Sequence, residues 1–339
     1  MAKLSRILVK TLAALAALIG VLFTAAFVMI LWSDPEFTGP PDVSPEALAE
    51  IASSFEQPYP AAKRPFRMRD GTTLQSQYLA ADSKTTIVLV HGTLSSSLPL
   101  NRASGLLREA AKAEVVAIDL RGHGASGGTP GDTDYIGQYE DDLADVIREI
   151  RATRPGGKVI LAGHSMGGGI ALRYALRSDV PPVDGYLLFA PHLGIKSPTT
   201  PTEASEAGAR FTQIHIPRIL GLALMNSAGI TAFNGLRTLF FNLPPEAPLR
   251  SYSFRAMVAT APDNHRPALA AVRVPLLVIV GSRDEAFKAD QYEVTVRSYS
   301  RGTVTIIPDA THNGVLRDPR AMAAVTAWAR SFSPPVPKP

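Results

Sequence analysis

The chain has 339 residues, a formal net charge of +4 and no cysteine. The missing cysteine excludes disulfide-stapled scaffolds, thiol nucleophiles and cysteine-based zinc or iron–sulfur sites. Lysine and arginine are scattered, whereas nucleic-acid-binding domains concentrate them in one stripe, so no nucleic-acid partner is expected. The length suits one large core of up to about 250–300 residues with an inserted subdomain, or two ordinary domains.

The amino-terminal part contains a long apolar segment. No charged residue occurs between Lys10 and Asp34, and the stretch Thr11–Trp32 is almost wholly apolar. A helix rises about 1.5 Å per residue, so this stretch is long enough to cross a hydrocarbon core of about 30 Å. Because Lys3, Arg6 and Lys10 precede it, the positive-inside rule predicts a single-pass anchor. Its amino terminus would be cytoplasmic and the rest of the chain extracytoplasmic.

Two other interpretations of this segment stay open, namely a cleaved signal peptide and a buried helix of a soluble protein. The sequence that follows, Ile30-Leu-Trp-Ser-Asp-Pro, is a poor cleavage site and favours the uncleaved anchor. After the anchor, acidic residues and proline indicate a spacer with one modest helix around Ser44–Phe55.

From about residue 65, predicted strands alternate with predicted helices. Asp70-Gly71, between two short strand-like segments, indicates a hairpin. Strands are predicted at Thr85–Val90, Glu114–Leu120, Lys158–Ala162, Tyr186–Phe189, Pro275–Val280 and Thr303–Ile307, and helices at 102–111, 135–153, 168–177, 289–300 and 319–332. This alternation predicts an α/β fold, with a mostly parallel central sheet that helices cover on both faces.

One long insertion interrupts the alternation. Roughly eighty residues between the strands at 186–189 and 275–280 contain no convincing strand, which is typical of a subdomain or lid. Apolar segments at 216–226 and 229–242 predict helices, and a helical cap would lie over the carboxyl ends of the strands, where open sheets bind ligands. The predicted organisation is an anchor (1–33), a spacer (34–64), a core (65–191 and 269–332), a helical cap (192–268) and a disordered tail (333–339).

The segment Gly163-His164-Ser165-Met166-Gly167 matches the pattern G-x-S-x-G. The five residues alone are a weak signal, but they follow a predicted buried strand and open a predicted helix, as a nucleophile elbow requires. Gly163 and Gly167 fit because a side chain there would collide with the neighbouring strand or helix. The turn places the Ser165 hydroxyl at a helix amino terminus, where developing negative charge is favoured. Ser165 is therefore the predicted nucleophile.

A serine nucleophile needs a base, and the base needs an acid that orients it. In this topology the chain order is serine, acid, histidine. Asp284 and His312 each follow a predicted strand, at the rim that carries Ser165, so they are the predicted acid and base. Three acidic residues remain alternatives for the acid: Glu285 and Asp290, which are near Asp284 in the sequence, and Asp263 from the preceding loop.

Two backbone N–H groups must bind the oxyanion of the tetrahedral intermediate. One is expected from Met166, and the other from the loop His91-Gly92-Thr93, with Thr93 as donor and Leu94 as the alternative. His91 is expected to hold this loop. The other histidines lack the spacing of a helical metal pair, so neither a metal nor a cofactor is expected.

Together these motifs resemble the α/β-hydrolase superfamily, and within it the branch of monoacylglycerol lipases, lysophospholipases and serine-aminopeptidase-like proteins. The resemblance rests on His91-Gly92, Asp119-Leu-Arg121-Gly-His-Gly-Ala-Ser126, Gly163 to Gly168, Asp284 and His312, and covers about residues 65–332. It implies a catalytic triad of Ser165, Asp284 and His312, oxyanion donors Thr93 and Met166, and a structural turn at Arg121–Ser126. Relatives often carry a further glycine where this chain has Thr93-Leu-Ser-Ser96. The cap varies across the family, so the substrate does not follow.

The sequence thus predicts a membrane-anchored serine hydrolase that cleaves carboxylic esters through an acyl-enzyme. The anchor and the apolar cap favour a lipid-derived ester such as a monoacylglycerol or a lysophospholipid. Deletion of residues 1–33 is expected to release a soluble, active domain. Three alternatives stay open: an amide or peptide hydrolase, an acyltransferase with the same triad, and a catalytically silent, membrane-tethered binding protein.

Overall fold

The computed structural model of the protein describes residues 2–40, 45–202 and 210–330. The strands are β1 (Ala62–Lys63), β2 (Phe66–Arg67), β3 (Thr73–Leu74), β4 (Ser76–Leu79), β5 (Thr85–Val90), β6 (Glu114–Ile118), β7 (Lys158–His164), β8 (Gly185–Phe189), β9 (Thr212–Ile214), β10 (Arg237–Phe241), β11 (Ser251–Ser253), β12 (Leu276–Gly281) and β13 (Thr303–Ile307). The α-helices are α1 (Ala2–Ile30), α2 (Pro45–Ser54), α3 (Asn101–Ala111), α4 (Gln138–Thr153), α5 (Met166–Ala175), α6 (Ile216–Ser227), α7 (Phe254–Val258), α8 (His265–Ala271), α9 (Tyr292–Tyr299) and α10 (Pro319–Ala329). The predicted tail and Ser44, the predicted start of α2, lie outside the described residues.

The central sheet has the strand order β1-β4-β6-β5-β7-β8-β12-β13. The pairs β1–β4 and β4–β6 are antiparallel, and every pairing from β6 to β13 is parallel. Helices α4, α5, α8 and α9 pack on one face and α3 and α10 on the other. Because both faces are covered, the central strands are continuous runs of valine, isoleucine and leucine instead of alternating patterns. The predicted α/β-hydrolase architecture is confirmed.

The hairpin at Asp70-Gly71 is also present. β2 and β3 pair antiparallel, with Phe66 opposite Leu74. Gly71 has a φ of 86°, a left-handed conformation that glycine adopts without steric cost. The chain then continues into β4 at the antiparallel end of the central sheet.

The inserted cap is mixed and not all helical, which corrects the sequence-based expectation. The helix predicted at 216–226 is present as α6, but the helix predicted at 229–242 is wrong. Its second half is strand β10, which lies between β9 and β11 in a three-stranded antiparallel sheet. A short apolar run does not reveal by periodicity alone whether it is helix or strand. Pairing with two segments distant in sequence decides in favour of a strand.

The amino-terminal helix α1 joins the cap. One stretch in the described residues, Lys3–Ile30, is long and apolar enough to cross a membrane, with a mean hydropathy of 2.6. Most of α1 is exposed, but Ala26 and Ile30 near its end are buried against α6. The spacer also has a partner, because Arg317 of the core binds the carboxylate of Glu50 and the hydroxyl of Ser53, both at 3.0 Å.

Candidate active site

Ser165 occupies a sharp turn between β7 and α5. Its φ and ψ are 53° and −115°, a strained conformation for a residue with a side chain, which costs about 1–3 kcal/mol. Added Cβ atoms would lie 2.4 Å from the Gly167 backbone at Gly163, and 2.3 Å from the carbonyl oxygen of Val90 at Gly167. The turn therefore requires glycine on both sides, as the sequence predicts.

Backbone hydrogen bonds hold Ser165 in this conformation. Its N–H donates to the carbonyl of Phe189 at 2.9 Å, at the end of the adjacent strand β8. Its carbonyl accepts from the N–H groups of His192 at 2.9 Å and Gly169 at 3.1 Å. Because three hydrogen bonds, to α5 and to the end of β8 with the loop after it, fix the backbone of Ser165, the surrounding fold offsets the strain.

His312 and Asp284 form a direct hydrogen bond. Nδ1 of His312 lies 2.8 Å from Oδ2 of Asp284, whose side chain is fully buried. The other oxygen, Oδ1, accepts the N–H groups of Ala286 at 2.9 Å and Phe287 at 2.8 Å. Since the carboxylate only accepts, Nδ1 of His312 carries the proton and Nε2 is left basic. This is the arrangement of an acid that orients a base.

The alternatives to Asp284 occupy other positions. Glu285 accepts the backbone N–H of His312 at 3.0 Å and so supports the loop instead of the imidazole ring. In the described ranges, neither Asp263 nor Asp290 forms a hydrogen bond with His312.

His164 connects the serine turn to the histidine loop. Its ring lies 4.7 Å from the ring of His312, centroid to centroid, and its Nε2 donates to the carbonyl of His312 at 3.0 Å. Burial lowers the pKa of His164 to about 3, so it is neutral near pH 7 and does not repel a protonated His312. Ser165 Oγ forms no hydrogen bond within the described residues. In free enzymes this contact is often long and tightens only when substrate binds.

The predicted oxyanion donors flank Ser165. Met166 begins α5, so its N–H has no partner within the helix. An added Cβ at Gly92 would lie 3.3 Å from Cβ of Ser165, which puts the loop after β5 directly against the serine. The N–H of Thr93 meets no acceptor in the part of the chain that the structure describes. Leu94, the alternative, donates its N–H to Oη of Tyr252 at 3.1 Å and is therefore engaged.

Tyr252 is a residue that sequence reasoning missed. It lies on cap strand β11, is fully buried, and donates its hydroxyl proton to Nε2 of His123 at 2.7 Å. His123 in turn donates from Nδ1 to the carbonyl of Arg121 at 2.9 Å. Burial, with a smaller contribution from His91, lowers the pKa of His123 to about 3, so its Nε2 stays an acceptor. No sequence signal marks Tyr252, because its partners belong to two distant loops of the core.

Two aromatic residues line the site beside His312. The ring of His192 stacks on Phe287 at 5.4 Å, and the edge of Phe287 meets the ring of His312 at 5.4 Å. Burial lowers the pKa of His192 to about 4, so this wall is uncharged at neutral pH.

His91 holds the oxyanion loop, because its Nδ1 donates to the carbonyl of Gly92 and its Nε2 accepts from the N–H of Leu120.

The segment Arg121–Ser126 is a structural turn. The carboxylate of Asp119 accepts the N–H of Ala125 and that of Ser97 beyond the oxyanion loop. A Cβ at Gly124 would lie 2.4 Å from this carboxylate. The Asp119 carboxylate therefore joins this turn to the loop that carries Thr93. Among the described residues, no group of three or more histidine, aspartate or glutamate side chains is placed to hold a metal ion.

The chain belongs to a known family of α/β hydrolases. The profile of the family described as "Serine aminopeptidase, S33" matches residues 81–319. The chain is 26% identical to the AB hydrolase superfamily protein YisY of Bacillus subtilis, over 62% of this chain and 79% of that protein. The protein is thus a hydrolase of this superfamily.

Solved structures show the same fold. A monoacylglycerol lipase from Paleococcus ferrophilus superposes with a TM-score of 0.54 at 24% identity, over 77% of this chain and 99% of that one. An esterase from Pyrococcus furiosus superposes with a TM-score of 0.52 at 17% identity, over 88% and 99%.

Proposed function

We propose that the protein is a serine hydrolase that cleaves carboxylic esters through an acyl-enzyme. The observation that carries the proposal is the hydrogen bond between His312 and the buried Asp284, at the rim where the strained turn presents Ser165. Each of the three side chains follows a different strand of the sheet. Their chain order is the one expected for the fold.

The geometry supports a two-step reaction. His312 Nε2 takes the proton as Ser165 Oγ attacks the ester carbonyl, and Asp284 stabilises the resulting imidazolium. The N–H groups of Thr93 and Met166 bind the oxyanion. His312 then returns the proton to the leaving alcohol, and water cleaves the acyl-enzyme by the same steps in reverse.

A lipid-derived ester, such as a monoacylglycerol or lysophospholipid, is the proposed substrate. The uncharged aromatic wall of His192 and Phe287 beside the triad suits an acyl chain, and an apolar helix precedes the domain. In keeping with this, α1 is proposed as a single-pass anchor with a cytoplasmic amino terminus and an extracytoplasmic catalytic domain. The same triad also supports amide or peptide cleavage and acyl transfer, and the assay must distinguish these from ester hydrolysis. A catalytically silent, membrane-tethered binding protein is the remaining alternative.

The test uses the full chain in lipid nanodiscs. Specificity constants are measured for esters of increasing acyl length, including a monoacylglycerol and a lysophospholipid, with amide analogues in parallel. A rise toward long acyl chains is the expected result. Short-chain preference would remove the lipid substrate, and amide turnover above ester turnover would replace esterase by amidase.

Ser165→Ala is the blank for this assay. It is expected to lower kcat by about 10⁴-fold or more with the melting temperature unchanged. Ser298→Ala is the matched control, since Ser298 is exposed on α9 and donates only within its own helix. Full turnover by Ser165→Ala would show that the nucleophile is a different group, and no turnover by the unmodified chain on any ester, amide or acyl acceptor would favour the silent binding protein.

A further inference from the structure

Cap helix α6 packs against the last turns of α1. Ala26 and Ile30 of α1 share a buried apolar cluster with Leu222 and Met225 of α6. Gly221 allows the close approach, because a Cβ there would lie 2.6 Å from the carbonyl oxygen of Ala26. The end of α1 and the cap are therefore one packed unit, and not a tether beside a separate domain.

A polar joint, which consists of the contacts of Arg218 and His215 with the end of α1, fixes the position of α6 along the axis of α1. Arg218 is buried and donates from Nε to the carbonyl of Ile30 at 2.9 Å and from Nη1 to the carboxylate of Asp34 at 2.6 Å. His215 donates to the carbonyl of Ser33 at 3.0 Å. The last carbonyls of a helix have no partner within it, and here the cap supplies donors. The joint sets which part of α6 lies beside which part of α1.

The charges of α1 determine the depth of this unit in a bilayer. Thr11–Ile30 is the uncharged part of the helix, and its about 20 residues extend about 30 Å, the thickness of a hydrocarbon core. Moving the helix by two turns toward its carboxyl end would lift the segment beside α6 out of the bilayer, but it would also pull Lys10 into the hydrocarbon. The segment Phe23–Ile30, on which α6 packs, therefore falls within the last about 10 Å of the core.

The surface of α6 and the turn that follows it suits this depth. Residues 219–236 contain no Asp, Glu, Lys or Arg. Ile216 and Leu220 point outward with 54% and 57% of their surface exposed. The amides are turned inward, and Asn226 and Asn234 pair with each other at 2.6 and 2.8 Å. α6 is thus apolar on its exposed side as well as on its buried side, whereas a helix that faces water has a polar outer side.

We propose that α6 and the turn after it insert into the bilayer leaflet at the carboxyl end of α1, where they contact lipid acyl chains. The surface continues that of α1, since the rings of Phe233 and Phe27 meet edge to face at 6.1 Å. The proposal rests on the proposed membrane span of α1. It goes further, because a simple tether would leave the cap in water.

The absence of cysteine makes single-cysteine labelling direct. Three variants of the full chain, Leu220→Cys, Val294→Cys and Val21→Cys, are labelled with a nitroxide in phosphatidylcholine nanodiscs. Val294 on α9 is the matched control, because it is 59% exposed against 57% for Leu220. Val21 reports on α1 itself. Ala223→Cys, a smaller change on the exposed side of α6, is measured in parallel, and ester turnover checks that each variant folds.

Collision rates with oxygen and with a water-soluble nickel chelate distinguish lipid from water. The expected result is nickel accessibility several-fold lower at Leu220 than at Val294, with oxygen accessibility correspondingly higher, and the Val21 label in lipid. Leu220 and Ala223 labels as accessible to nickel as Val294, with Val21 still in lipid, would overturn the inserted cap and leave the anchor intact. A Val21 label in water would overturn the membrane span, and the inserted cap with it.

Discussion

Tyr252→Phe tests whether the cap holds the oxyanion loop. The substitution removes a fully buried hydroxyl and leaves two partners unpaired, the N–H of Leu94 and Nε2 of His123. Each buried polar group without a partner costs about 1–3 kcal/mol, so the free energy of unfolding should fall by about 2–6 kcal/mol. For a chain of this size the melting temperature should drop by about 3–8 °C.

The kinetic effect follows from the same contact. Leu94 has a φ of 58°, and the bond to Tyr252 holds this strained peptide next to Thr93. When the bond is lost, the N–H of Thr93 loses its alignment with the oxyanion. Removal of a whole oxyanion donor costs about 10²–10³ in kcat, so misalignment should cost about 10–100-fold. KM should change little, because the oxyanion forms only after binding.

Tyr139→Phe is the control. The hydroxyl of Tyr139 is equally buried but has no partner among the described residues, so its removal should leave the melting temperature equal or higher and kcat unchanged. Both variants are measured by thermal unfolding and by steady-state kinetics on one chromogenic ester. A Tyr252→Phe enzyme with the kcat and melting temperature of the unmodified chain would refute the role assigned to the cap.

Three further predictions concern the turn, pH and the anchor. Gly167→Ala should lower the free energy of unfolding by about 3 kcal/mol or more and abolish turnover, because the added Cβ meets the carbonyl of Val90. Gly20→Ala, which has open space around the added Cβ, is the control and should change neither quantity in the same denaturation and turnover assays. Burial lowers the pKa of four histidines to about 3 or 4, namely His91, His123, His164 and His192. In the unfolded chain these histidines bind a proton near pH 6.5, whereas in the folded chain they do so only at a much lower pH. The free energy of unfolding should therefore be highest above pH 6.5 and fall toward pH 4 by about 1.4 kcal/mol per pH unit for each histidine. A melting temperature that stays flat from pH 7 to 5 would contradict this. Deletion of residues 2–33 should destabilise the cap, because Arg218 loses the carbonyls of Ile30 and Trp32 and its apolar neighbours lose Ala26 and Ile30. A shortened chain that melts and turns over like the full one would show that these contacts contribute little.

The sequence predicts the central sheet well because its strands are short branched runs buried on both faces. The limits of β5 and β13 agree to the residue with the predicted Thr85–Val90 and Thr303–Ile307. The triad candidates follow from the order of the strands, since each lies where a strand ends. The choice between Asp284 and Glu285 depends on contacts that the strand order does not show. The N–H groups of Ala286 and Phe287 orient the Asp284 carboxylate.

Contacts between distant segments could not be predicted in the same way. β10 becomes a strand through pairing with β9 and β11, and its own five residues are equally apolar in either conformation. The contact of Arg218 with Asp34 joins residues that are far apart in the chain, and neither residue belongs to a recognisable motif. For this reason the sequence alone predicts a dispensable anchor, whereas the contacts of α6 predict a coupled one.

The segment after α1 stays with the cap as well. The carbonyl of Glu36 accepts from Gln213, and that of Gly39 accepts from Asn242. From Ile30 to Gly39 the chain is thus bonded to the insertion before it reaches the central sheet. In an enzyme with a mobile lid, the catalytic domain is normally taken as the fixed frame. Here the cap is the part that is fixed to α1. Any hinge movement between the cap and the catalytic core would therefore displace the triad relative to α1 while the cap stays in place.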